Sequence, residues 1–211
     1  MMVALVSARK GGVYIFYTAL AFTMLIRTGC LLLLTFTITL FTPAQAAAAT
    51  IRTLEITHSK GNYHVTFDVL LAAEPEKAWA LLSDYRQWSR LSDDFKEAQL
   101  LESFPDGRQR IRVRFRSCVL IVCKTIRQVK DVTARPKGDI LSVMVPEQGD
   151  FTSGYERWRI LAEQGQTRVH YTAEIVPGFR LPPLIGPPIL KGKLRRTLIG
   201  TMKNLEALAV P

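Results

Sequence analysis

The chain has 211 residues and a formal net charge of +10, from 28 basic and 18 acidic side chains. It contains no internal repeat and no low-complexity linker, and its length suits one domain after an N-terminal segment is removed. A basic protein in the cytoplasm would suggest nucleic acid as its partner. The N-terminal segment argues against that partner, because it predicts export.

Residues 1–46 have the pattern of a secretory signal. They include three basic residues and no acidic one, and an apolar run over residues 31–41 ends shortly before Ala44 and Ala46, the small side chains that a signal peptidase requires. We predict cleavage after Ala46, with Met24 as an alternative start, and a mature chain of residues 47–211 in the periplasm or outside the cell. The alternative is an uncleaved membrane anchor, because a second apolar stretch precedes the first.

Cleavage lowers the net charge to +7, because the segment removes three basic residues and no acidic one. An exported protein of this charge meets anionic lipid headgroups or acidic proteins rather than nucleic acid. We therefore expect no nucleic-acid partner and consider an anionic membrane surface as a contact. The alternative is a well-solvated surface with no such role.

Most of the mature chain alternates apolar and polar side chains, as half-buried strands do. In the clearest case Ile111, Val113 and Phe115 alternate with four arginines over residues 110–116. One apolar and one charged face are typical of an antiparallel sheet between a core and water. The arginines either keep this face soluble or form a cationic stripe for a lipid or a protein. The predicted strands are residues 51–58, 63–71, 98–103, 110–116, 125–133, 139–145, 153–161 and 167–176.

Helices are predicted in the middle and at the end of this series. Pro75 opens the first one, because proline is tolerated in the first turn of a helix, and Trp79 lies on its apolar face. A second short helix is expected within residues 85–95. The last helix, of about twenty residues, has one apolar stripe. The stripe consists of Leu194, Leu198, Met202, Leu205 and Ala209.

The loop over residues 177–188 is apolar, stiffened by prolines and followed by a basic helix start. Two interpretations fit this composition. The loop docks on a membrane and gates a lipid-sized cavity, or it is a buried crossing whose apolar side chains close the end of the sheet. The basic residues are Lys191, Lys193, Arg195 and Arg196.

Cys118 and Cys123 are predicted to form a disulfide. Residues 110–132 read as strand almost throughout, yet a strand of that length at about 3.3 Å per residue would be several times the normal length. A turn over residues 119–122 sets the two cysteines opposite each other, and export supplies an oxidising compartment. The same register pairs Phe115 with Ile126 and Arg110 with Asp131. Two points oppose it, because the turn contains no Gly, Pro, Asn or Asp and Arg114 faces Arg127. The alternative is a pair of reduced thiols.

Residues 69–85, with the sequence VLLAAEPEKAWALLSDY, resemble the strand-to-helix opening of START-like proteins. More narrowly, they are similar to the coenzyme Q-binding START and polyketide cyclase/dehydrase group. The order of the later strands, with Phe151-Thr152-Ser153-Gly154 leading into a tryptophan strand, also matches. The resemblance covers most of residues 62–209. It implies an α+β helix-grip fold, in which a curved antiparallel sheet wraps around a long C-terminal helix and encloses an apolar cavity.

This resemblance implies a binder or carrier of an apolar ligand, either a lipid or an isoprenoid or quinone-like molecule. We expect the protein to be a monomer. Because the fold hosts unrelated activities, two alternatives remain: an interaction module with a filled core, and a cyclase-like cavity enzyme. For each candidate ligand-binding residue, core packing is the alternative role. The candidates are Phe67, Trp79, Phe115, Trp158, Tyr171, Leu198 and Met202.

Sequence motifs for catalysis are lacking. The histidines, His58, His64 and His170, have no metal-ligand spacing. The sequence has no Gly-x-Ser-x-Gly elbow, phosphate-binding glycine loop or dinucleotide fingerprint. We therefore predict no metal, no cofactor and no catalytic residue. An acid pair formed by Asp93-Asp94 and Glu147 stays open, with solvated loop acids as the alternative.

Overall fold

The computed structural model describes residues 49–119, 122–136, 138–179 and 184–210, in which eight antiparallel strands form one sheet. The predicted signal and its cleavage site lie outside these residues. Every predicted strand is present, most of them one or a few residues longer than the pattern suggested. The strands are β1 Thr50–Ser59, β2 Asn62–Leu71, β3 Phe95–Ser103, β4 Gln109–Val119, β5 Val122–Arg135, β6 Asp139–Met144, β7 Phe151–Glu163 and β8 Gln166–Pro177.

The sheet is curved, and the long C-terminal helix lies on its concave face. Its strand order is β1-β2-β8-β7-β6-β5-β4-β3. The apolar side chains of each strand point towards the helix because successive residues of a strand alternate between the two faces. In β2, for example, Tyr63, Val65, Phe67 and Val69 are all buried, whereas His64 and Thr66 are exposed. The predicted α+β helix-grip fold is confirmed.

The helices lie where the sequence predicted them. They are α1 Pro75–Ser83, α2 Trp88–Leu91, preceded by a 3-10 turn over Tyr85–Gln87, and α3 Gly186–Ala209. Pro75 occupies the first turn of α1, where its missing N–H costs no hydrogen bond. The 24 residues of α3 exceed the predicted twenty because the helix already begins within the proline-rich segment, with prolines in its first turn.

The C-terminal end of α3 is anchored to the sheet. The carboxylate of Glu206 accepts hydrogen bonds from the backbone N–H groups of Ala49, at 2.9 Å, and Ala72, at 2.7 Å. The predicted apolar stripe is buried along its last three turns, with Leu198, Met202 and Leu205 all in the core. The last third of α3 therefore packs directly on the sheet and on α1.

The β4–β5 hairpin has the predicted register. Phe115 lies opposite Ile126, Arg110 opposite Asp131, and Cys118 opposite Cys123. The two cysteines form the predicted disulfide, with their Cα atoms 4.0 Å apart.

Two of the four arginines of β4 form ion pairs with carboxylates. Arg110 forms an ion pair with Asp131 at 2.7 Å, and Arg114 forms one with Glu97 on β3 at 3.0 Å. Their charges are thus balanced within the convex face. This arrangement favours the interpretation of a soluble face over that of a cationic stripe.

Candidate functional site

A cavity of about 180 Å³ lies between the concave face of the sheet and the first two thirds of α3. Its walls are mostly apolar, because inward side chains of six strands meet those of the three helices there. The volume exceeds the roughly 150 Å³ of an engineered protein cavity that accepts benzene. The apolar and aromatic side chains of the wall are Tyr63, Val65, Leu82, Trp88, Leu91, Phe95, Phe115, Ile126, Phe151, Trp158, Tyr171, Ile175, Phe179, Leu190, Leu194 and Leu198.

Four of the seven predicted ligand-binding residues lie on this wall: Phe115, Trp158, Tyr171 and Leu198. The structure therefore brings together side chains from β4, β7, β8 and α3, which are far apart in sequence.

The other three candidates do not line the cavity. Phe67 and Met202 are fully buried in the core, and Trp79 packs against that core from α1. Met202 belongs to the end of α3 that Glu206 holds against the sheet, so no space opens beside it. Trp79 keeps a buried indole N–H without a hydrogen-bond partner in the described part of the chain.

Aromatic rings form much of the wall and contact one another. Trp158 and Tyr171 have ring centroids 4.1 Å apart on neighbouring strands. Phe95 and Phe115 form a second pair at 4.9 Å, and Trp88 approaches Phe95 at 5.5 Å. Rings that are fixed by such contacts present flat apolar surfaces to a ligand at little entropic cost.

One part of the wall is polar and buried. Lys130 Nζ donates to Glu156 Oε2 at 2.5 Å, and Gln128 Nε2 donates to Glu156 Oε1 at 3.3 Å. The ammonium group also lies 4.7 Å from the ring centroid of Trp88, a cation–π distance. We call Gln128, Lys130 and Glu156 the polar cluster. All three belong to the cavity wall, so a ligand in the cavity lies beside them.

Tyr171 also lies on the cavity wall, and the charge of Glu156 acts on it. Burial, and secondarily the negative charge of Glu156, raises the pKa of the Tyr171 hydroxyl well above its usual range. The hydroxyl therefore stays protonated and neutral at physiological pH.

A second polar group connects α3 to the loop between α2 and β3. The carboxylate of Asp94 accepts hydrogen bonds from Lys193 Nζ at 2.6 Å and from Thr197 Oγ1 at 2.7 Å. The three residues border the cavity and hold the N-terminal half of α3 over it. These three side chains pair with one another, whereas the Gln128 amide oxygen of the polar cluster accepts no hydrogen bond from the described residues. Asp94 is thus paired with a lysine, and the acid pair of Asp93-Asp94 with Glu147 stays a hypothesis.

The loop before α3 and the β4–β5 hairpin meet at one side of the cavity. Lys124 Nζ lies 4.3 Å from the ring centroid of Phe179, and Phe179 contacts Phe151 edge to face. Residues 180–183 of the predicted gating loop lie outside the described residues. Beyond them Leu184 and Ile185 are 91% and 59% exposed, so this part of the loop does not close the sheet from within.

In the described residues no cluster of His, Cys, Asp and Glu side chains has the composition of a metal site. None of the helices described is long and apolar enough to span a bilayer.

Residues 62–210 match the family described as polyketide cyclase/dehydrase and lipid transport. The chain belongs to this family. The match agrees with the resemblance that the sequence showed over most of residues 62–209. None of the curated proteins matches the chain.

Solved structures of the START superfamily share the fold. The Zhui aromatase/cyclase from Streptomyces sp. R1128 is 18% identical with a TM-score of 0.57, over 70% of this chain and 93% of that one. A START superfamily protein from Mycobacterium smegmatis is 21% identical with a TM-score of 0.53, over 69% and 96%. A STAR-related lipid transfer protein from Xanthomonas axonopodis is 14% identical with a TM-score of 0.53, over 72% and 98%. These likenesses establish the fold alone.

The sequence interpretation missed the polar cluster, although a signal for it was present. In the predicted hairpin register Val113 faces Gln128 and Ile111 faces Lys130, as the structure has it. Because directly paired residues of a sheet point to the same face, the inward position of Ile111 implied an inward lysine. Glu156 lies two residues before Trp158 and so shares its inward face.

Proposed function

We propose that this protein is an exported, monomeric binder or carrier of an apolar ligand, which it holds in the cavity between the sheet and α3. The observation that carries the proposal is the cavity itself, with mostly apolar walls and a few convergent polar groups. Such a pocket is the usual form of a small-molecule site. An interaction module with a filled core has no use for such a space.

The proposed ligand is a lipid or an isoprenoid or quinone-like molecule. A cavity of about 180 Å³ encloses a group of one or two rings, or a short length of chain, rather than a whole membrane lipid. A longer ligand would therefore extend past Phe179 towards the exposed Leu184 and Ile185, where the wall gives way to solvent.

Export is part of the proposal and is supported by the signal pattern of residues 1–46. Sequencing the N-terminus of protein purified from the cell envelope is expected to find Ala47 first. An intact residue 1 or 24 on membrane-bound protein would contradict cleavage.

The ligand-binding part is tested by filling the cavity from α3. Leu194 lies on the wall, whereas Ile189 on the same helix is exposed and lies off it. Leu194→Trp is expected to reduce co-purifying ligand roughly tenfold in native mass spectrometry, because overpacking an occupied space costs about 1–3 kcal/mol. Ile189→Trp, the matched control, should keep the wild-type amount. Equal ligand in both variants, or none in the wild type, would contradict the proposal.

An anionic membrane surface is the proposed donor or acceptor of the ligand. Leu184 and Ile185 are exposed directly before α3, and α3 continues with Lys191 and Arg196 before any acidic residue. Apolar side chains next to positive charge suit an anionic bilayer surface. Sedimentation with phosphatidylglycerol vesicles should exceed that with phosphatidylcholine vesicles.

The membrane contact is tested by placing a charge in it. Leu184→Glu should abolish the preference for anionic vesicles, whereas Val143→Glu, an exposed apolar position on the convex face, should not. Unchanged sedimentation of the Leu184 variant would exclude this surface.

A cavity enzyme is the second candidate, and the Lys130–Glu156 pair is the observation that favours it. An amine, a carboxylate and the protonated Tyr171 hydroxyl all border the same apolar space, as proton-transfer sites require. Turnover of a bound ligand would be detected as a mass change in the co-purified molecule. Recovery of one unaltered compound supports the carrier instead.

A further inference from the structure

The amide of Gln128 has only one chemically consistent orientation. One end of the amide lies 3.3 Å from Glu156 Oε1, and the carboxylate has only acceptors to offer. That end must be the NH₂ group, which also lies 3.0 Å from Met144 Sδ. The amide oxygen consequently points elsewhere and accepts no hydrogen bond from the described residues, although Gln128 is only 3% exposed.

Lys130 has an ammonium donor that no described residue accepts. Its ammonium group carries three N–H bonds; one goes to Glu156, and the cation also faces the Trp88 ring. Lys130 and Gln128 are two residues apart on β5, so their side chains extend from the same face of the strand. The polar cluster thus holds one acceptor and one donor that no described residue pairs, and its three residues belong to a cavity wall that is mostly apolar.

We propose that the polar cluster selects a ligand that carries a hydroxyl group, an inference that rests on the proposed ligand-binding function. The hydroxyl hydrogen donates to Gln128 Oε1, and the hydroxyl oxygen accepts from Lys130 Nζ. No proton is transferred, and no bond other than these hydrogen bonds forms.

Ligands with other functional groups form fewer hydrogen bonds with the polar cluster. A ketone, an ether or a carboxylate only accepts, so each leaves the Gln128 oxygen buried and unpaired. A hydrocarbon leaves both groups unpaired, and a cation is repelled by Lys130. Because an unpaired buried group loses the full free energy of its desolvation, the site discriminates against each of these ligands.

Three probes with one carbon skeleton test this selection: 2-naphthol, 2-methoxynaphthalene and naphthalene. Equilibrium dialysis against the purified protein gives the three dissociation constants. We expect 2-naphthol to bind roughly tenfold more tightly than 2-methoxynaphthalene, since one satisfied buried hydrogen bond has about this effect. Equal affinities for these two probes would overturn the proposal while leaving an apolar cavity in place. Failure of all three to bind would instead overturn the proposed function.

The variant Gln128→Met tests whether the polar cluster is the site that selects the hydroxyl group. It removes the amide oxygen of Gln128 and keeps a side chain of similar volume. The ratio between 2-naphthol and 2-methoxynaphthalene should fall to about one in this variant. Gln99→Met is the matched control, because Gln99 is exposed on β3, and the ratio should persist in it.

Circular dichroism establishes that each variant is folded, and Gln128→Leu serves if Gln128→Met does not fold. The wild-type ratio itself decides whether a hydroxyl is selected. A ratio that persists in the folded Gln128 variant would overturn the assignment of the hydroxyl site to this cluster.

Discussion

The two faces of the sheet use the same kind of ion pair in opposite environments. On the convex face the Arg114–Glu97 pair is about half exposed, and the Arg110–Asp131 pair is partly exposed. On the concave face Lys130 pairs with Glu156, and the two side chains are 4% and 12% exposed. An exposed pair contributes little, because water screens it, whereas a buried pair must repay the desolvation of two charges.

This difference indicates what each face is for. The convex pairs keep a strongly charged surface balanced, and any one of them is replaceable. The buried pair is an inefficient way to stabilise a core, since apolar residues of similar volume would serve as well. Its position on the cavity wall gives it a use in ligand recognition, as proposed above.

Breaking the buried pair from one side should have the largest effect. Lys130→Met leaves Glu156 charged and unpaired in the apolar wall, and the free energy of unfolding should fall by about 3–5 kcal/mol. Urea denaturation followed by circular dichroism measures this loss. The double variant Lys130→Met, Glu156→Leu is the control and should recover most of the stability. A loss below about 1 kcal/mol would place this pair with the exposed ones.

Removing the disulfide between β4 and β5 compares the stabilising contribution of a covalent link with that of the ion pairs. The double variant Cys118→Ser, Cys123→Ser should lose roughly 2 kcal/mol of unfolding free energy, because the bond closes only a short loop. Denaturation with and without reductant provides the control, since reductant should destabilise the wild type but not the variant. Two freely alkylated cysteines in native, unreduced protein would contradict the bond.

Asp68 is a convex-face carboxylate that is nevertheless buried. Removing its charge should therefore lower the free energy of unfolding by less than breaking the Lys130–Glu156 pair and by more than breaking the Arg114–Glu97 pair. Hydrogen bonds from Arg168, and then from His170, hold the pKa of the Asp68 carboxyl below its usual range, although burial acts in the opposite direction. Asp68→Asn should cost about 1.5 kcal/mol at pH 7.

This contribution also has a defined pH dependence. A depressed folded pKa stabilises the protein above the unfolded value of about 3.9 and loses its effect as the pH falls through the folded value. The difference between wild type and Asp68→Asn should therefore shrink below about pH 4. Thermal unfolding between pH 7 and pH 3 measures it. A constant or growing difference would mean that the carboxylate charge is not what stabilises this site.

The Arg114–Glu97 pair should give the smallest effect. Its side chains are about half exposed, so a double-mutant cycle with alanine at both positions should yield a coupling of about 0.2–1 kcal/mol. The coupling should decline in concentrated salt, because screening shortens with ionic strength. A larger, salt-insensitive coupling would show that the convex face is not equivalent to solvent.

Much of the fold could be predicted because the relevant signals are local. The alternation in residues 110–116 predicts β4, Pro75 marks the start of α1, and the period-2 register of a hairpin placed Cys118 opposite Cys123 with one choice of turn. Each signal involves residues that are near neighbours in sequence, or two strands joined by one turn. Such patterns can be interpreted from the sequence without knowledge of the rest of the molecule.

The cavity could be predicted only in part. Phe115, Trp158, Tyr171 and Leu198 line it, but Met202 belongs to the same helical stripe as Leu198 and does not. Only one turn of α3 separates Leu198, which lines the cavity, from Met202, which lies in the core. The distinction depends on where α3 rests on the sheet, which Glu206 decides by binding the backbone of Ala49 and Ala72.

The sequence by itself thus determined the strands, the helices, the hairpin register and the family. Only the tertiary structure decided which inward residues meet empty space and which meet one another. Gln128, Lys130 and Glu156 come from strands separated by β6, and they form one group because the curvature of the sheet turns their side chains towards a common space. The physical reason is that patterning specifies the face of a strand, whereas packing between distant elements specifies what that face contacts.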